Sequence, residues 1–328
     1  YEEQFSNYSY GFREGRNAHQ AVLQAQQNLN EGYGWVIELD LEKFFDKVNH
    51  DKLMGLLAKK ISDKRILKLI RSYLNSGIME DGVVTARTEG TPQGSPLSPL
   101  LSNVVLNELD KELEARGHRY VRYADDCSIY VKSEKSAQRV MESITDYIEK
   151  KLKLKVNRTK SKVSRPQDSV LLGFSFYSSK EGWQVRIAPK SLDKIRKKMK
   201  EQTKRNDPSP AKEKIKKMEA VIRGWVNYFA IARGKKKMQE LDELVRTRLR
   251  MGIWKQWKKP KTKRIHLIKL GIPKPKAYEW SNSRKGFCRI AHSPILCRAL
   301  NNEYFTRLRY IGFTNYYYWK TEHQLKLF

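Results

Sequence analysis

The sequence predicts an α+β layer domain followed by a helical, strongly basic region. Strands and helices are interspersed over residues 1–180, an order typical of helices packed on a mixed sheet. After Pro189 the apolar residues recur every three or four positions, which indicates helices. Charge is also unevenly divided: residues 1–180 hold 28 Lys and Arg against 24 Asp and Glu, whereas residues 181–328 hold 38 against 12.

The first half contains the predicted elements in this order. A helix over 17–31 begins at the N-cap Asn17 and stops at Gly32, and WVIELDL (35–41) is a buried strand that reaches Asp40. The remaining elements are helices near 51–60 and 63–75, a strand at 83–90, the loop TPQGSPLSP (91–99), a long helix stopped by Gly117, a hairpin centred on Asp125 and Asp126, a helix capped by Ser133, and a hairpin over 171–188.

The second half is predicted to contain three helices, separated by NDPSP (206–210) and RGK (233–235). Trp225, Trp254 and Trp257 fall at helical spacing, so we expect them in the core rather than on a base-stacking surface. From Lys259 onward the chain is rich in Pro and Lys, then basic and aromatic.

Composition restricts the class of protein. The 328 residues predict two or three domains, and the lack of any run of about 18 apolar residues predicts no membrane span. The cysteines, Cys127, Cys288 and Cys297, form no disulfide framework, which fits a reducing compartment. The net charge of +30 suits a polyanion, because neutralised phosphates release counterions; a solvated basic surface is the alternative.

Two adjacent aspartates, Asp125 and Asp126, interrupt the strand-like stretch RYADDCSIYV (122–131). Asp is depleted in strands, and two carboxylates roughly 4 Å apart repel by about 4 kcal/mol at an effective dielectric near 20. Mg²⁺ ions would neutralise them, and a pair of such ions can clamp both oxygens of a phosphoryl displacement. Asp40, at the end of its strand, is the candidate third carboxylate. An Asp-Asp turn capped by backbone amides remains an equal alternative at this point.

The order of the motifs resembles that of reverse transcriptases. ELDLEKFFDKVNHDKL (38–53), TPQGSPLSPLLSN (91–103) and YADD (123–126) are similar to the catalytic and nucleotide-contacting blocks, and LKLKVNRTKSKV (152–163) and LLGFSF (171–176) to the later blocks. SYGFREGRNAHQA (9–21) and GWVNYF (224–229) resemble the group II intron members and their maturase, or thumb, region. The chain is therefore identified as a member of the bacterial group II intron reverse transcriptase/maturases; no segment resembles the HNH endonuclease of some relatives.

The resemblance implies a right-hand polymerase. Residues 1–180 would form the palm and partial fingers, 181–260 the helical thumb or maturase domain, and 261–328 a basic DNA-binding domain. The family's fingers begin upstream of SYGFR, so we expect the natural protein to be longer. The implied activity is RNA-directed DNA synthesis on intron RNA, with help in splicing and mobility; the alternatives are a non-catalytic RNA-binding maturase scaffold and a domesticated enzyme in a defence, CRISPR or repair system.

The implied cofactors are two Mg²⁺ ions, which Mn²⁺ can replace. The implied partners are group II intron RNA in a ribonucleoprotein, target DNA, an RNA template–DNA primer duplex and dNTPs. We expect a cytoplasmic bacterial protein that joins the nucleoid when bound to DNA, with an organellar setting as the alternative.

The resemblance also assigns the catalytic centre. Asp40 and Asp125 would bind both metals, assisted by the carbonyl of Leu41, and Asp126 would be a weaker or outer ligand. Lys160 would donate a proton to the pyrophosphate leaving group; the alternative is a solvated lysine like its neighbours.

Further residues are implied at the substrates. Phe45 would exclude a 2′-hydroxyl, unless it is simply core; Gln93 would hydrogen-bond the nucleotide, and Gly94 would allow close backbone approach. Arg13 would contact the template or fingers and Tyr123 the primer terminus, with structural roles as the alternatives. The primer grip would be Leu172, Gly173 and Phe174, unless this is an ordinary hairpin.

The basic half would hold nucleic acid through the exposed faces of its helices. The implied residues are Lys194, Arg196, Lys197, Lys198, Lys212, Lys216, Arg246 and Arg250. Cys288, His292 and Cys297, with the remote His266, could form a zinc set, but the spacing fits no common pattern and free cysteine is usually core.

Overall fold

A computed structural model shows two compact units, Tyr1–Val185 and Arg186–Phe328. It describes residues 1–76, 78–80, 83–85, 89–92 and 95–325, with side chains left undescribed at 78–80, 83–85 and 323–325. Within these residues no helix is both long and apolar enough to cross a membrane.

The first unit mixes helices and strands, as the sequence predicts. Its elements are α1 (Ala18–Asn30), β1 (Trp35–Leu39), α2 (Phe44–Lys47), α3 (His50–Ala58), α4 (Lys64–Asn75), β2 (Ile78–Glu80), β3 (Val83–Thr85), α5 (Ser98–Ala115), β4 (Arg119–Tyr123), β5 (Asp126–Val131), α6 (Glu134–Tyr147), β6 (Lys162–Ser164), β7 (Phe174–Ser179) and β8 (Gly182–Ile187). Of the strand predicted over 83–90, Val83–Thr85 is β3 and Glu89 forms an isolated bridge with Asn49, whereas 86–88 lie outside the described residues.

Four strands form one antiparallel sheet in the order β4-β5-β1-β6. Because side chains alternate across a strand, Tyr120, Ile129 and Ile37 share one face and join the core with α3, α5 and α6. Glu38 and Ser128, which are paired in register, lie on the opposite face. The sheet therefore has one face committed to the core and one that carries polar groups toward the end of β1.

Local chemistry fixes the helix ends that the sequence predicts. Asn17 forms a full capping box with Gln20 at the start of α1, and Ser133 accepts a hydrogen bond from the Ser136 amide at the start of α6. Gly117 ends α5 with a positive φ of 69°, a conformation in which glycine has no Cβ penalty.

The second unit is helical. Its elements are α7 (Pro189–Gln202), α8 (Ala211–Phe229), α9 (Lys235–Gln256), α10 (Pro260–Lys269), α11 (Lys274–Ser281), α12 (Phe287–Ala291), α13 (Pro294–Ala299), α14 (Asn302–Arg307) and α15 (Phe313–Leu325). Trp254 and Trp257 are buried, which confirms their predicted core role, and Trp225 is half-buried against Phe229 and Phe313.

Candidate active site

Asp40 directly follows β1, and a turn from a distant part of the chain holds its backbone. The Asp40 amide donates to Ser161 Oγ at 3.0 Å, and its carbonyl accepts from the Asn157 amide at 2.8 Å. Leu41 forms an isolated bridge with Val156. The turn over 156–161 also presents Lys160, whose Nζ lies 3.1 Å from Asp40 Oδ2. Lys160 thus pairs with the predicted metal-binding carboxylate rather than standing apart in solvent, although its side chain is 70 % exposed.

The acidic pair lies at the tip of the β4–β5 hairpin. Tyr123 and Asp126 face each other in register, and Ala124 and Asp125 form the two-residue turn between them. The β1–β5 register ends at Leu39 and Cys127. Continuing this register by one residue places Asp40 opposite Asp126, so the two side chains lie on the same face of the sheet. The fold therefore brings the end of β1 and the hairpin tip to one edge.

Burial and the neighbouring carboxylates both act on Asp126. Desolvation, followed by repulsion from Asp125, Asp40 and Glu38, raises the pKa of Asp126 to about 6, and Lys160 opposes this. Two exposed lysines pair with carboxylates of this edge: Lys160 lies 3.1 Å from Asp40, and Lys162 lies 3.1 Å from Glu38. Hard oxygen donors of this kind suit Mg²⁺, so the donor chemistry fits the divalent cations that reverse transcriptases generally use.

The carboxylates do not form a closed cage. Across the part of the chain that the structure describes, no group of three or more His, Cys, Asp or Glu side chains is arranged to hold a metal ion. Asp40 instead directs one oxygen at Lys160. A cation bound here would therefore compete with that lysine for Asp40.

A buried hydrogen-bond network contacts the backbone of the acidic turn at Ala124. We call its members, Arg122, Asp110, Asn103 and Gly11, the bracket. Arg122 is fully buried and donates to both oxygens of Asp110, at 2.8 and 2.6 Å. Its Nη1 donates to Asn103 Oδ1 at 3.0 Å and to the Ala124 carbonyl at 2.8 Å. Asn103 Nδ2 in turn donates to the Gly11 carbonyl at 2.9 Å.

The bracket explains an unusual backbone conformation. Ala124 has a φ of 55°, which is uncommon for a residue with a Cβ and costs roughly 1–2 kcal/mol. The guanidinium of Arg122 fixes the carbonyl of this same residue. Gly11 packs so closely on the turn that an added Cβ would lie 3.0 Å from both Ala124 Cα and the Tyr123 carbonyl carbon. The sequence analysis did not predict the bracket. The one feature of the sequence that pointed to it was Asp110, an acidic residue among the apolar positions of α5.

The predicted nucleotide contacts are only partly described. Phe44 is buried in the core, whereas Phe45 is half-buried, packs edge-on against Phe44 and accepts a 2.6 Å hydrogen bond from the Thr91 amide. Gln93 and Gly94 lie outside the described residues.

Arg13 has a structural environment. Its side chain is 6 % exposed, and its guanidinium donates to Glu2 Oε1 at 2.6 Å and to the carbonyls of Ser6 and Ser9 at 2.5 and 2.9 Å. These contacts favour the structural alternative over the predicted contact with template, because the donors are used within the chain.

The predicted primer grip is a tight turn. Leu171 and Phe174 exchange backbone hydrogen bonds of 3.0 and 2.9 Å, and Leu172 and Gly173 between them have positive φ values of 52° and 81°. Two positive φ values are those of a type I′ turn. Phe174 is buried, and Tyr123, the predicted primer contact, is half-buried.

The basic residues of the second unit divide into two groups. Exposed cations occupy the outer faces of α7 and α8: Lys194, Lys197, Lys198, Lys212 and Lys216. Arg196 pairs with Asp193 and Glu240, and Arg246 is half-buried. Arg250 requires a correction: it is 8 % exposed and donates to the Leu300 carbonyl at 3.0 Å, so it serves packing rather than a nucleic-acid surface.

The cysteine–histidine set is dispersed. Cys288 is exposed, Cys297 is half-buried with its thiol against the Ala291 carbonyl, and His266 stacks on Trp257 at 4.8 Å. No metal-binding group occurs among these or other described residues.

Two family models match the chain. Residues 1–176, more than half of it, match the reverse transcriptase (RNA-dependent DNA polymerase) model, and residues 192–270 match the maturase-specific domain of group II introns. The chain belongs to the group II intron reverse transcriptase family. This confirms the family predicted from the motifs and, more coarsely, a reverse transcriptase domain of mixed helix and sheet.

Curated relatives of this reverse transcriptase come from several organisms. Protein YkfC of Escherichia coli K12 is 34 % identical over 209 residues, which are 52 % of this chain and 55 % of that protein. Group II intron-encoded protein LtrA of Lactococcus lactis is 28 % identical over 247 residues, 56 % of this chain and 41 % of that one. A 91 kDa protein in the cob intron of Schizosaccharomyces pombe is 43 % identical over 114 residues, 35 % and 14 % of the two chains. The chain thus spans about half or less of the length of these relatives.

Among solved structures, telomerase from Candida tropicalis is similar to 92 % of this chain and 52 % of that one, with 12 % identity and a TM-score of 0.44. That score is too low to support a statement about the fold.

Proposed function

We propose that this reverse transcriptase is the RNA-directed DNA polymerase of a group II intron, which extends a DNA primer on intron RNA and binds that RNA to assist splicing and mobility. Residues 1–180 would be the palm and partial fingers, 181–260 the thumb or maturase domain, and 261–328 the DNA-binding domain. The observation that carries the proposal is the edge at which Asp40 and the Asp125–Asp126 turn meet. Burial, and after it repulsion from Asp125, Asp40 and Glu38, raises the pKa of Asp126, and a divalent cation bound at this edge would relieve that repulsion.

In this proposal Asp40 and Asp125 hold two Mg²⁺ ions, with the Leu41 carbonyl as a further ligand and Asp126 as an outer one. Bound Mg²⁺ would supply Lewis-acid activation of the primer hydroxyl and neutralise charge on the phosphate. The chain's own contribution is position: the backbone of Asp40 is fastened at both its amide and its carbonyl, and the bracket fastens the carbonyl next to Asp125.

Lys160 has a second role in the proposal. Its ammonium group now neutralises Asp40 at 3.1 Å. Because the Lys160 side chain is largely exposed, it would be able to leave Asp40, reach the pyrophosphate leaving group and donate a proton to it.

Residues of both units would contact the substrates. The half-buried ring of Phe45 would lie under the incoming sugar, and Tyr123 and the Leu172–Phe174 turn would support the primer end. Gln93 and Gly94 would complete the nucleotide contacts. The exposed lysines of α7 and α8 would hold the phosphates of RNA, a contact that carries affinity without sequence preference.

The decisive experiment is primer extension by the full chain on an RNA template with Mg²⁺ and dNTPs. Asp125→Asn is expected to abolish extension and leave RNA binding intact, because the amide cannot neutralise a metal ion. Asp146→Asn is the matched control, because Asp146 is exposed and its pair with Lys150 lies on the surface, where such pairs contribute little to stability.

Two results would overturn the proposal. One is a folded wild-type chain that extends no primer; promotion of splicing by that chain would then favour a non-catalytic maturase. The other is full extension by Asp125→Asn. If Asp125→Asn loses both extension and RNA binding, circular dichroism decides whether the variant has unfolded.

A further inference from the structure

The second unit contains a cavity of about 630 Å³, a volume within the usual range for ligand sites. It lies between the loop that follows α7, the C-terminal end of α9, α10 and the start of α12. The cations that line it are Arg205, Lys255, Lys258 and Lys263, and one carboxylate, Asp207, joins them.

Two of these cations rest on aromatic rings instead of carboxylates. The guanidinium carbon of Arg205 lies 4.6 Å from the centre of the Phe287 ring, and Lys263 Nζ lies 4.5 Å from that of the buried Trp254. Within the described residues neither forms an ion pair with a carboxylate. Burial lowers the pKa of Lys263, which shows a cation that has lost water without gaining an anion. Both cations are therefore positioned by aromatic rings, and the half-buried Lys263 has in addition lost water without a carboxylate partner.

The one carboxylate of the cavity does not neutralise them. Asp207 Oδ1 accepts from the Ser209 amide at 2.9 Å, and the buried Lys214 lies 4.0 Å from its other oxygen. These contacts lower the pKa of Asp207, with the hydrogen bonds to Ser209 as the largest cause. Asp207 is therefore occupied by its own loop.

The loop that carries Arg205 is fixed in place. Lys214 Nζ donates to the carbonyls of Lys204 and Asp207 at 3.0 and 2.9 Å. Gln256 Nε2 donates to the Ser209 carbonyl at 2.9 Å, and Lys255 Nζ to Asn206 Oδ1 at 2.6 Å. A cavity whose walls are tied to α8 and α9 needs little rearrangement to receive a ligand, so less ordering free energy opposes binding.

We propose that this cavity binds a phosphodiester segment of nucleic acid, with Arg205 and Lys263 each contacting a phosphate and Lys258 a flanking one. Its volume exceeds that of a lone phosphate, and its net positive charge selects a polyanion. The proposal deepens the proposed function and rests on it, because it assumes that the chain meets RNA or a template–primer duplex. These two sources share the same phosphodiester chemistry.

The test measures how binding depends on salt. The full chain carrying Arg205→Gln and Lys263→Gln is titrated with a labelled group II intron transcript and, separately, with a short RNA–DNA duplex. Each lost phosphate contact lowers the magnitude of the slope of log Kobs against log salt by about 0.7–0.9, so we expect the slope to fall by roughly 1.5 and the affinity near 0.1 M salt to fall about 30-fold. The nucleic acid whose salt slope decreases, the intron transcript or the RNA–DNA duplex, is the one that supplies the phosphates.

A matched control removes the same charges elsewhere. Lys236→Gln with Arg307→Gln replaces one exposed lysine and one exposed arginine of the same unit, outside the cavity, and is expected to leave both slopes near wild type. Lys258→Gln adds a variant that cannot fail by misfolding, because Lys258 is exposed; we expect a slope decrease of about 0.7–0.9.

Equal slopes for the cavity variant and the control in both arms would overturn the proposal. Primer extension separates this failure from failure of the proposed function. A wild-type chain that extends primers while the cavity variant binds normally refutes only the cavity, whereas a wild-type chain without extension refutes the polymerase.

Discussion

Gly11→Ala tests whether the bracket sets the conformation of the Asp125–Asp126 turn, the proposed catalytic turn. The added Cβ would lie 3.0 Å from Ala124 Cα and from the Tyr123 carbonyl carbon, and closer still to the Ala124 nitrogen. These are backbone atoms that cannot rotate away, so the two segments must separate by something on the order of 1 Å to reach ordinary contact distance. Overpacking of this kind costs about 1–3 kcal/mol of unfolding free energy. A displacement of about 1 Å at reacting groups can cost roughly 10²-fold in rate.

The assay for Gly11→Ala is steady-state primer extension with kcat and the Mg²⁺ concentration for half-maximal rate as separate readouts, beside thermal unfolding. We expect kcat to fall about 10²-fold while the variant remains folded. Gly55→Ala is the control, because an added Cβ at this α3 position meets no atom within 4 Å and should stabilise the chain by about 0.4–1 kcal/mol. A folded Gly11→Ala variant with wild-type kcat and wild-type Mg²⁺ dependence would refute the reasoning.

The remaining predictions concern the buried Arg122–Asp110 ion pair and the Asp126 carboxyl group. Replacing Arg122 and Asp110 together by Met and Leu should leave urea stability within about 2 kcal/mol of wild type, because apolar substitutes for a buried pair are often neutral, whereas each single change should cost about 3–5 kcal/mol. Since the double variant frees the Ala124 carbonyl, kcat should still fall; unchanged kcat would mean that the pair serves stability alone. Asp126→Asn should raise the thermal midpoint at pH 7 by a few degrees, about 1 kcal/mol after allowance for the exposure of this side chain. The folded pKa is about 6 against an ordinary 3.8, so the folded chain keeps a proton that the unfolded chain loses, and wild-type stability falls as pH rises through that window. The gap between variant and wild type should therefore close as the pH approaches 4, and a gap independent of pH would contradict the assignment.

Local chemistry allowed much of the first unit to be predicted. The caps Asn17 and Ser133 and the stop Gly117 act within a few residues of their own helix, so the sequence contains all that determines them. The approach of Asp40 to the acidic turn was also predictable in outline, because antiparallel neighbours place a strand end beside a hairpin tip.

The side-chain contacts that could not be predicted join residues far apart in the sequence. The family resemblance marked Arg13, and the basic half marked Arg250, as candidate nucleic-acid contacts, but backbone carbonyls brought together by the fold accept hydrogen bonds from both side chains. Arg122 and Asp110 belong to different elements and meet only when α5 packs on β4. The helices after Lys259 lack a regular apolar period, so composition alone did not separate them.

In the proposed site, several carboxylates lie at the edge formed by the end of β1 and the β4–β5 hairpin tip. The ion pairs at this edge must therefore limit the repulsion between the carboxylates and still leave them accessible to cations. Lys160 offsets part of the repulsion through one contact with Asp40, while 70 % of its side chain remains exposed. An exposed pair of this kind is worth only about 0–1 kcal/mol, so a divalent cation displaces it at little cost. A buried arginine in the same place would be far harder to remove. The fold instead buries Arg122 behind the turn, where its charge fixes the backbone of the turn without competing for Asp40 and Asp125, the proposed metal-binding carboxylates.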